Sequence, residues 1–187
     1  MGVALIEEFI REAQAAGAAA RRVSRGGLTD LLVEVLEGDR TVVAVAELKE
    51  LAEELCERGL DVRCAAAEVA GAVDAGPSEM AEVLTEAHAG LGVALAGIAS
   101  SGTVVVGPGA GIEGAVSILP PHHVVLLTAA SIEPDLAAAL ETVAPVVATP
   151  GARLAFVTGP SRTSDIELTP VVGVHGPLRL DVLIVDG

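Results

Sequence analysis

The chain has 187 residues, enough for one domain with a substantial core. Hydrophobic residues make up 51% and charged residues 20%, the opposite of the balance that leaves a chain disordered. With 26 acidic against 11 basic side chains, two Phe and no Trp or Tyr, the net charge of -15 repels phosphate backbones and no aromatic platform can stack bases, which excludes nucleic-acid binding.

In chain order, Leu5, Phe9 and Ala13 with charges between them predict a helix over 4–20. A Ser24-Arg25-Gly26-Gly27 break precedes a second predicted helix over 28–36. The period then changes: 41–46 (T-V-V-A-V-A) reads as a strand, 47–58 as an amphipathic helix ended by Gly59, and 61–65 as the next strand. Strand, helix, strand at this spacing is the mark of a βαβ unit and a parallel sheet. Ser78 is a candidate N-cap for a helix reaching His88. Residues 91–96 and 103–106 read as two strands joined through Ala99-Ser100-Ser101-Gly102. Strands at 116–119 and 124–127 follow, then a helix over 133–143 with Pro134 in its first turn, and strands at 154–157 and 180–185. Continuous apolar runs such as V-V-L-L imply a sheet covered on both faces. The expectation is a single domain with an N-terminal helical segment of about 1–38 and an α/β core of about 40–187. Its architecture is three-layer α/β/α around a largely parallel or mixed sheet, with a β-hairpin insertion.

The N-terminal apolar run is interrupted by Glu7 and Glu8, and Ile6 stands where myristoylation requires Ser or Thr. Residues 87–112 carry no Asp, Glu, Lys or Arg, but seven glycines punctuate them, which suits strands and turns better than a membrane span. A cytoplasmic protein without membrane association is expected. Cys56 and Cys64 have no further thiol to complete an iron–sulfur or zinc site, so they read as two buried thiols and no cofactor or metal of the chain's own is expected.

Three places could carry chemistry. Gly109-Ala110-Gly111-Ile112-Glu113-Gly114 matches G-x-G-x-x-G, but β-prone residues and Pro120-Pro121 follow, so a glycine-rich hairpin loop is the better reading than a dinucleotide site. His122 and His123 are neighbours on a strand and face opposite ways, so solvated or core-edge imidazoles are expected rather than a shared metal. The third place is the segment from Phe156 to His175, in which a strand runs into Thr158-Gly159-Pro160-Ser161-Arg162-Thr163. Backbone N–H groups at a helix start, the hydroxyls of Ser161 and Thr163 and the Arg162 guanidinium would together bind a carboxylate or phosphate. Ser164-Asp165-Ile166-Glu167 is equally a capping box, and an Arg162–Asp165 salt bridge would then explain the arginine structurally. Anion binding and structural capping stand about even. His175 reads as a general base, a ligand donor or a packed turn residue.

The segments F-V-T-G-P-S-R-T-S-D-I-E, G-V-H-G-P and L-D-V-L-I-V-D closely resemble the end of the LUD domain in the LutC/YkgG family of lactate-utilisation proteins. S-G-T-V-V-V and S-I-L-P-P-H-H-V-V-L-L resemble that family's middle strands, so the likeness covers about 92–187. It adds Gly102 and Thr103 to the ligand-binding candidates Thr158, Gly159, Ser161, Arg162 and Thr163. The resemblance implies a fold like the ribose-phosphate isomerase and CoA-transferase superfamily. It also implies a role beside two partner proteins in oxidising L-lactate to pyruvate, with iron–sulfur clusters held by a partner. One departure stands out: the family usually shows Glu-Thr-Gly-Thr where this chain has Ser100-Ser101-Gly102-Thr103, and a serine cannot supply that carboxylate. A basic residue usual before the S-L-L-P segment is also replaced, with Gly114 and Ala115 in that region.

The leading expectation is therefore an accessory subunit that binds a small anionic ligand or a partner protein. The alternatives are an isomerase or transferase acting on phosphorylated or CoA-linked substrates, with Glu113, Asp165, Glu167 and His175 as acid–base candidates, and a structural interaction module. Whether the chain is itself catalytic stays open at this level.

Overall fold

The computed structural model describes residues 2–65, 83–107, 112–148, 152–164, 170–172 and 176–187. Helix α1 (Gly2–Ala15) presents Ile6, Phe9 and Ala13 to the core at helical spacing. Strand β1 (Ala19–Val23) follows, then α2 (Leu28–Val35), β2 (Thr41–Val45), α3 (Lys49–Glu57) and β3 (Asp61–Ala65). Gly59, at φ 94°, ends α3 in the left-handed conformation that favours glycine, as its sequence position predicted. The second half contributes β4 (Ala89–Ile98), β5 (Thr103–Val106), the short α4 (Ile112–Val116), β6 (His122–Thr128), β7 (Ile132–Glu133), α5 (Leu136–Val147), β8 (Ala155–Val157), β9 (Arg162–Ser164), β10 (Pro170–Val172) and β11 (Arg179–Val185).

Six strands in the order β1-β11-β6-β4-β2-β3 run parallel. Alternation along each strand divides the core. Val125 and Leu127 of β6 pack with Ile6, Phe9 and Ala13 of α1, whereas Val124 and Leu126 pack with Leu28, Leu32 and Leu55 of α2 and α3. Helices thus cover both faces of a mostly parallel sheet, the three-layer α/β/α arrangement expected. Phe9 is fully buried, a contribution of about 1.5–3 kcal/mol from its apolar surface.

Strand β4 organises the second half. Its first residues, Ala89 to Leu91, pair with β2 in parallel. From Ala94 to Ile98 it pairs instead with β5, antiparallel, and β5 pairs in turn with β8. Its other edge is held by β6 along Ala89 to Val93 and by β7 at Gly97 and Ile98. Between Leu91 and Ala94, one edge of β4 therefore changes partner from β2 to β5. Two neighbours that leave a strand in different directions open a crevice at that point.

Several local expectations are corrected. The helix predicted over 4–20 ends at Ala15, and Ala19–Val23 is a strand on β11. Its two arginines hide it from a hydrophobicity reading, but Arg21 pairs with Glu34 and Asp181 and Arg22 with Asp186. The strand predicted over 116–119 is instead the end of α4 and a turn, in which Ile118 and Leu119 N–H groups donate to the Ala115 carbonyl. That helix begins inside the G-x-G-x-x-G motif, contrary to the hairpin-loop reading, although Pro120-Pro121 does stop it within a few residues. Packing explains the change: Gly90 lets the backbone of α4 approach, since a Cβ there would lie 2.1 Å from the Val116 carbonyl oxygen. The helix predicted from 133 starts at Leu136, with Asp135 Oδ1 accepting from Ala138 N at 3.0 Å. Cys56 is exposed and Cys64 half-buried, not a pair of buried thiols. Of the helix predicted over 78–88, residues 83–86 are described and are helical.

Candidate functional site

The hydroxyl-rich residues singled out in the sequence do meet. Gly102 and Thr103 start β5, Thr158 and Gly159 follow β8, and the antiparallel register places Thr103 beside Thr158. Their hydroxyl oxygens are 2.7 Å apart, and Ser101 Oγ lies 2.7 Å from Thr103 Oγ1. The end of α1 closes over this group. At Gly102 (φ 63°) a Cβ would fall 2.0 Å from Ala13 N, and at Gly159 (φ 75°) 2.3 Å from the Ala16 carbonyl oxygen. The hydroxyls thus bond one another and the glycines seat α1 against the β5–β8 pair. Ser161 N donates to the Pro177 carbonyl at 2.8 Å. Ser164 is paired with Pro170 in a two-stranded antiparallel sheet, and the rest of the capping box, Asp165 to Glu167, lies outside the described residues. Arg162 and Thr163 lie on β9, and their side chains are outside what is described. Asp165, Glu167 and His175 lie outside the described residues. Glu113 lies on α4, its side chain likewise outside.

The crevice where β4 changes partners encloses a cavity of about 460 Å³. Its walls are Val45 at the end of β2 and Glu47 after it, Gly92 and Val93 of β4, Val106 and Gly107 at the end of β5, the 114–119 stretch, His123, and Arg153 to Ala155 before and in β8. Ligands of parallel α/β sheets collect in such crevices, beyond the carboxyl ends of strands where connections diverge. The lining is mainly aliphatic, with Glu47, Ser117, His123 and Arg153 as its polar members. The Arg153 side chain is exposed and makes no hydrogen bond or ion pair with a described residue. Gly92 opens the space beside the imidazole: a Cβ there would come within 3.4 Å of His123 Nε2.

His123 is 1% exposed, and its Nδ1 has no hydrogen-bond partner among the described residues. Burial, reinforced by neighbouring His122, lowers its pKa to about 4, so the ring is neutral at physiological pH. A buried imidazole without a full set of partners is costly, and such groups call for a reason.

His122 points to the other face and is fully engaged. Its Nδ1 lies 2.7 Å from Asp39 Oδ2 and its Nε2 3.0 Å from Asp181 Oδ2. Asp181 is fully buried and also meets Arg179 Nε at 2.8 Å and Arg21 Nη2 at 3.3 Å. Burial would raise the Asp181 carboxyl, but the hydrogen bond from His122 and the charge of Arg179 prevail and hold it below the ordinary carboxylate value. Both histidines are buried, contrary to the expectation of solvated or core-edge rings. Sequence reasoning placed neither Arg153 in a site nor Asp181 in a network, because only the pairing of distant strands brings their partners near. Among the described residues, no three His, Cys, Asp or Glu side chains converge to hold a metal.

Residues 6–185 match the family model of the LUD domain. The chain belongs to the LUD domain family. Lactate utilization protein C of Halalkalibacterium halodurans is 33% identical over 111 residues, covering 57% of this chain and 48% of that protein. Lactate utilization protein C of Bacillus subtilis is 33% identical over 104 residues, 54% of this chain and 43% of that one. The uncharacterized protein YkgG of Escherichia coli is 36% identical over 117 residues, 59% and 50% of the two chains. This LUD domain thus spans about half the length of the curated relatives it matches. A crystal structure of a DUF162 family protein from Deinococcus radiodurans has a TM-score of 0.75 to it at 24% identity, covering 99% of this chain and 98% of that one. The LUD domain described here therefore has the fold of that protein. None of its described helices is long and apolar enough to cross a membrane.

Proposed function

We propose that this LUD domain protein is an accessory subunit of a lactate-utilisation system in the cytoplasm, and that it binds a small carboxylate in the β4 crevice. The relatives named for lactate utilisation support the pathway. The observation that carries the site is the cavity that joins an exposed Arg153 to a buried imidazole, the Arg153 guanidinium and His123 Nδ1 both having no partner among the described residues. A guanidinium suits a carboxylate, and the aliphatic walls suit the apolar part of a small organic acid. Redox chemistry in this reading falls to an iron–sulfur partner protein.

The segment from Thr158 to Thr163 is the other place for the anion. The Thr158 hydroxyl at its start is engaged with Thr103, which also bonds Ser101, and this favours the crevice. A second reading, an enzyme of the isomerase or transferase kind, draws support from Glu47 and His123 lining one cavity as a carboxylate and a neutral imidazole. Thermal shift with lactate or pyruvate decides the location. A ligand at about a hundred times its Kd adds about 2.7 kcal/mol, several degrees in Tm for a domain of this size. Arg153→Ala should lose that shift and Arg162→Ala should keep it. The reverse pattern would place the anion in the 158–163 segment.

A further inference from the structure

Resting on the crevice as the ligand site, we propose that it selects monocarboxylic 2-hydroxy acids with an apolar tail longer than lactate's methyl group, Gly92 setting the tail length and His123 reading the hydroxyl. Volume is the first argument. A cavity of about 460 Å³ falls in the range, on the order of 300–1,000 Å³, that takes ligands much larger than a three-carbon acid. The walls are the second. Val45, Val93, Val106, Val116, Ile118 and Leu154 offer aliphatic surface that lactate would leave largely uncovered. The polar groups are the third. Arg153 suits one carboxylate, while Glu47 in the same lining opposes a second one, so the site favours a monoacid over a diacid. His123 is neutral, so it suits a hydroxyl rather than another charge, and the uncapped space above Gly92 gives a ligand access to Nε2.

Isothermal calorimetry on the full chain tests this with lactate, 2-hydroxybutanoate, 2-hydroxyhexanoate, 2-hydroxyoctanoate and unsubstituted hexanoate. Affinity should rise about threefold to fourfold for each added methylene that finds the walls, and 2-hydroxyhexanoate should bind at least tenfold more tightly than hexanoate. Gly92→Val should flatten the length series and, by filling the space beside His123 Nε2, weaken lactate as well. Gly92→Ala, whose added carbon meets its nearest neighbour at 3.4 Å, is the milder second variant and should blunt the gain of the longest acid. Equal affinity across the series in the unaltered protein would overturn the tail selection and leave the crevice as a carboxylate site. Equal affinity for hexanoate and 2-hydroxyhexanoate would overturn the role given to His123. Absence of binding by every acid would overturn the crevice as ligand site, and the selectivity with it.

Discussion

His122 and His123 are adjacent in sequence, equally buried and opposite in circumstance. His122 has a carboxylate on each ring nitrogen, inside a network that ties β1, β6, β11 and the turn after α2. His123 looks into a cavity, with Nδ1 unpartnered among the described residues. A strand that sends alternate side chains to opposite faces can thus keep a structural imidazole and a ligand-facing one next to each other. Partnering tells the two imidazoles apart: both ring nitrogens of His122 are engaged, in a network where Arg21 Nε has no hydrogen-bond partner among the described residues, whereas His123 lines the cavity with Nδ1 unpartnered.

The largest effect should come from breaking the His122 side. Asp181→Asn leaves His122 and two guanidinium groups facing a neutral amide, and should cost about 3–5 kcal/mol by urea denaturation at pH 7. Because the folded carboxyl of Asp181 is held below its ordinary value, its contribution is complete above about pH 4 and fades as pH falls through the folded value. The variant should lack that acid limb.

The His123 side predicts the opposite pattern. His123 has a folded pKa of about 4 against 6.5 when unfolded, so the unfolded chain gains a proton first as pH falls. Stability should drop by about 2 kcal/mol between pH 7 and pH 5 through this residue alone. His123→Leu should remove that slope and, at pH 7 without ligand, change stability by no more than about 1 kcal/mol. A cost like that of Asp181→Asn would mean that His123 is also part of the fold's framework.

Gly92→Ala should have the smallest effect. The added carbon finds its nearest neighbour at 3.4 Å, and a strand glycine is entropically unfavourable by about 0.5–1 kcal/mol. A stability gain of that size or no change is expected by thermal unfolding.

The sheet was legible because its strands are local signals. T-V-V-A-V, H-V-V-L-L and L-D-V-L-I-V are β-branched and aliphatic runs whose pattern survives any tertiary setting. Ala19–Val23 was not legible, since its arginines become strand residues only when Asp181, Glu34 and Asp186 are brought to them. Val116 was misread for a related reason: its β-branched character yields to the glycine at position 90 on which α4 rests. The meeting of Gly102 and Thr103 with Thr158 and Gly159 follows motifs visible in the chain, and the register of β5 on β8 confirms their proximity. The crevice has no such signal. It arises where β4 exchanges β2 for β5, a property of long-range pairing, and its arginine comes from an otherwise unremarked position before β8.

The most direct measurement of the central claim is a nitrogen-detected NMR titration of the histidine side chains with 2-hydroxyhexanoate at pH 7. The ring nitrogens of His123 should shift on addition of the acid, and those of His122 should stay in place. Binding of the acid with both rings unmoved would contradict the account.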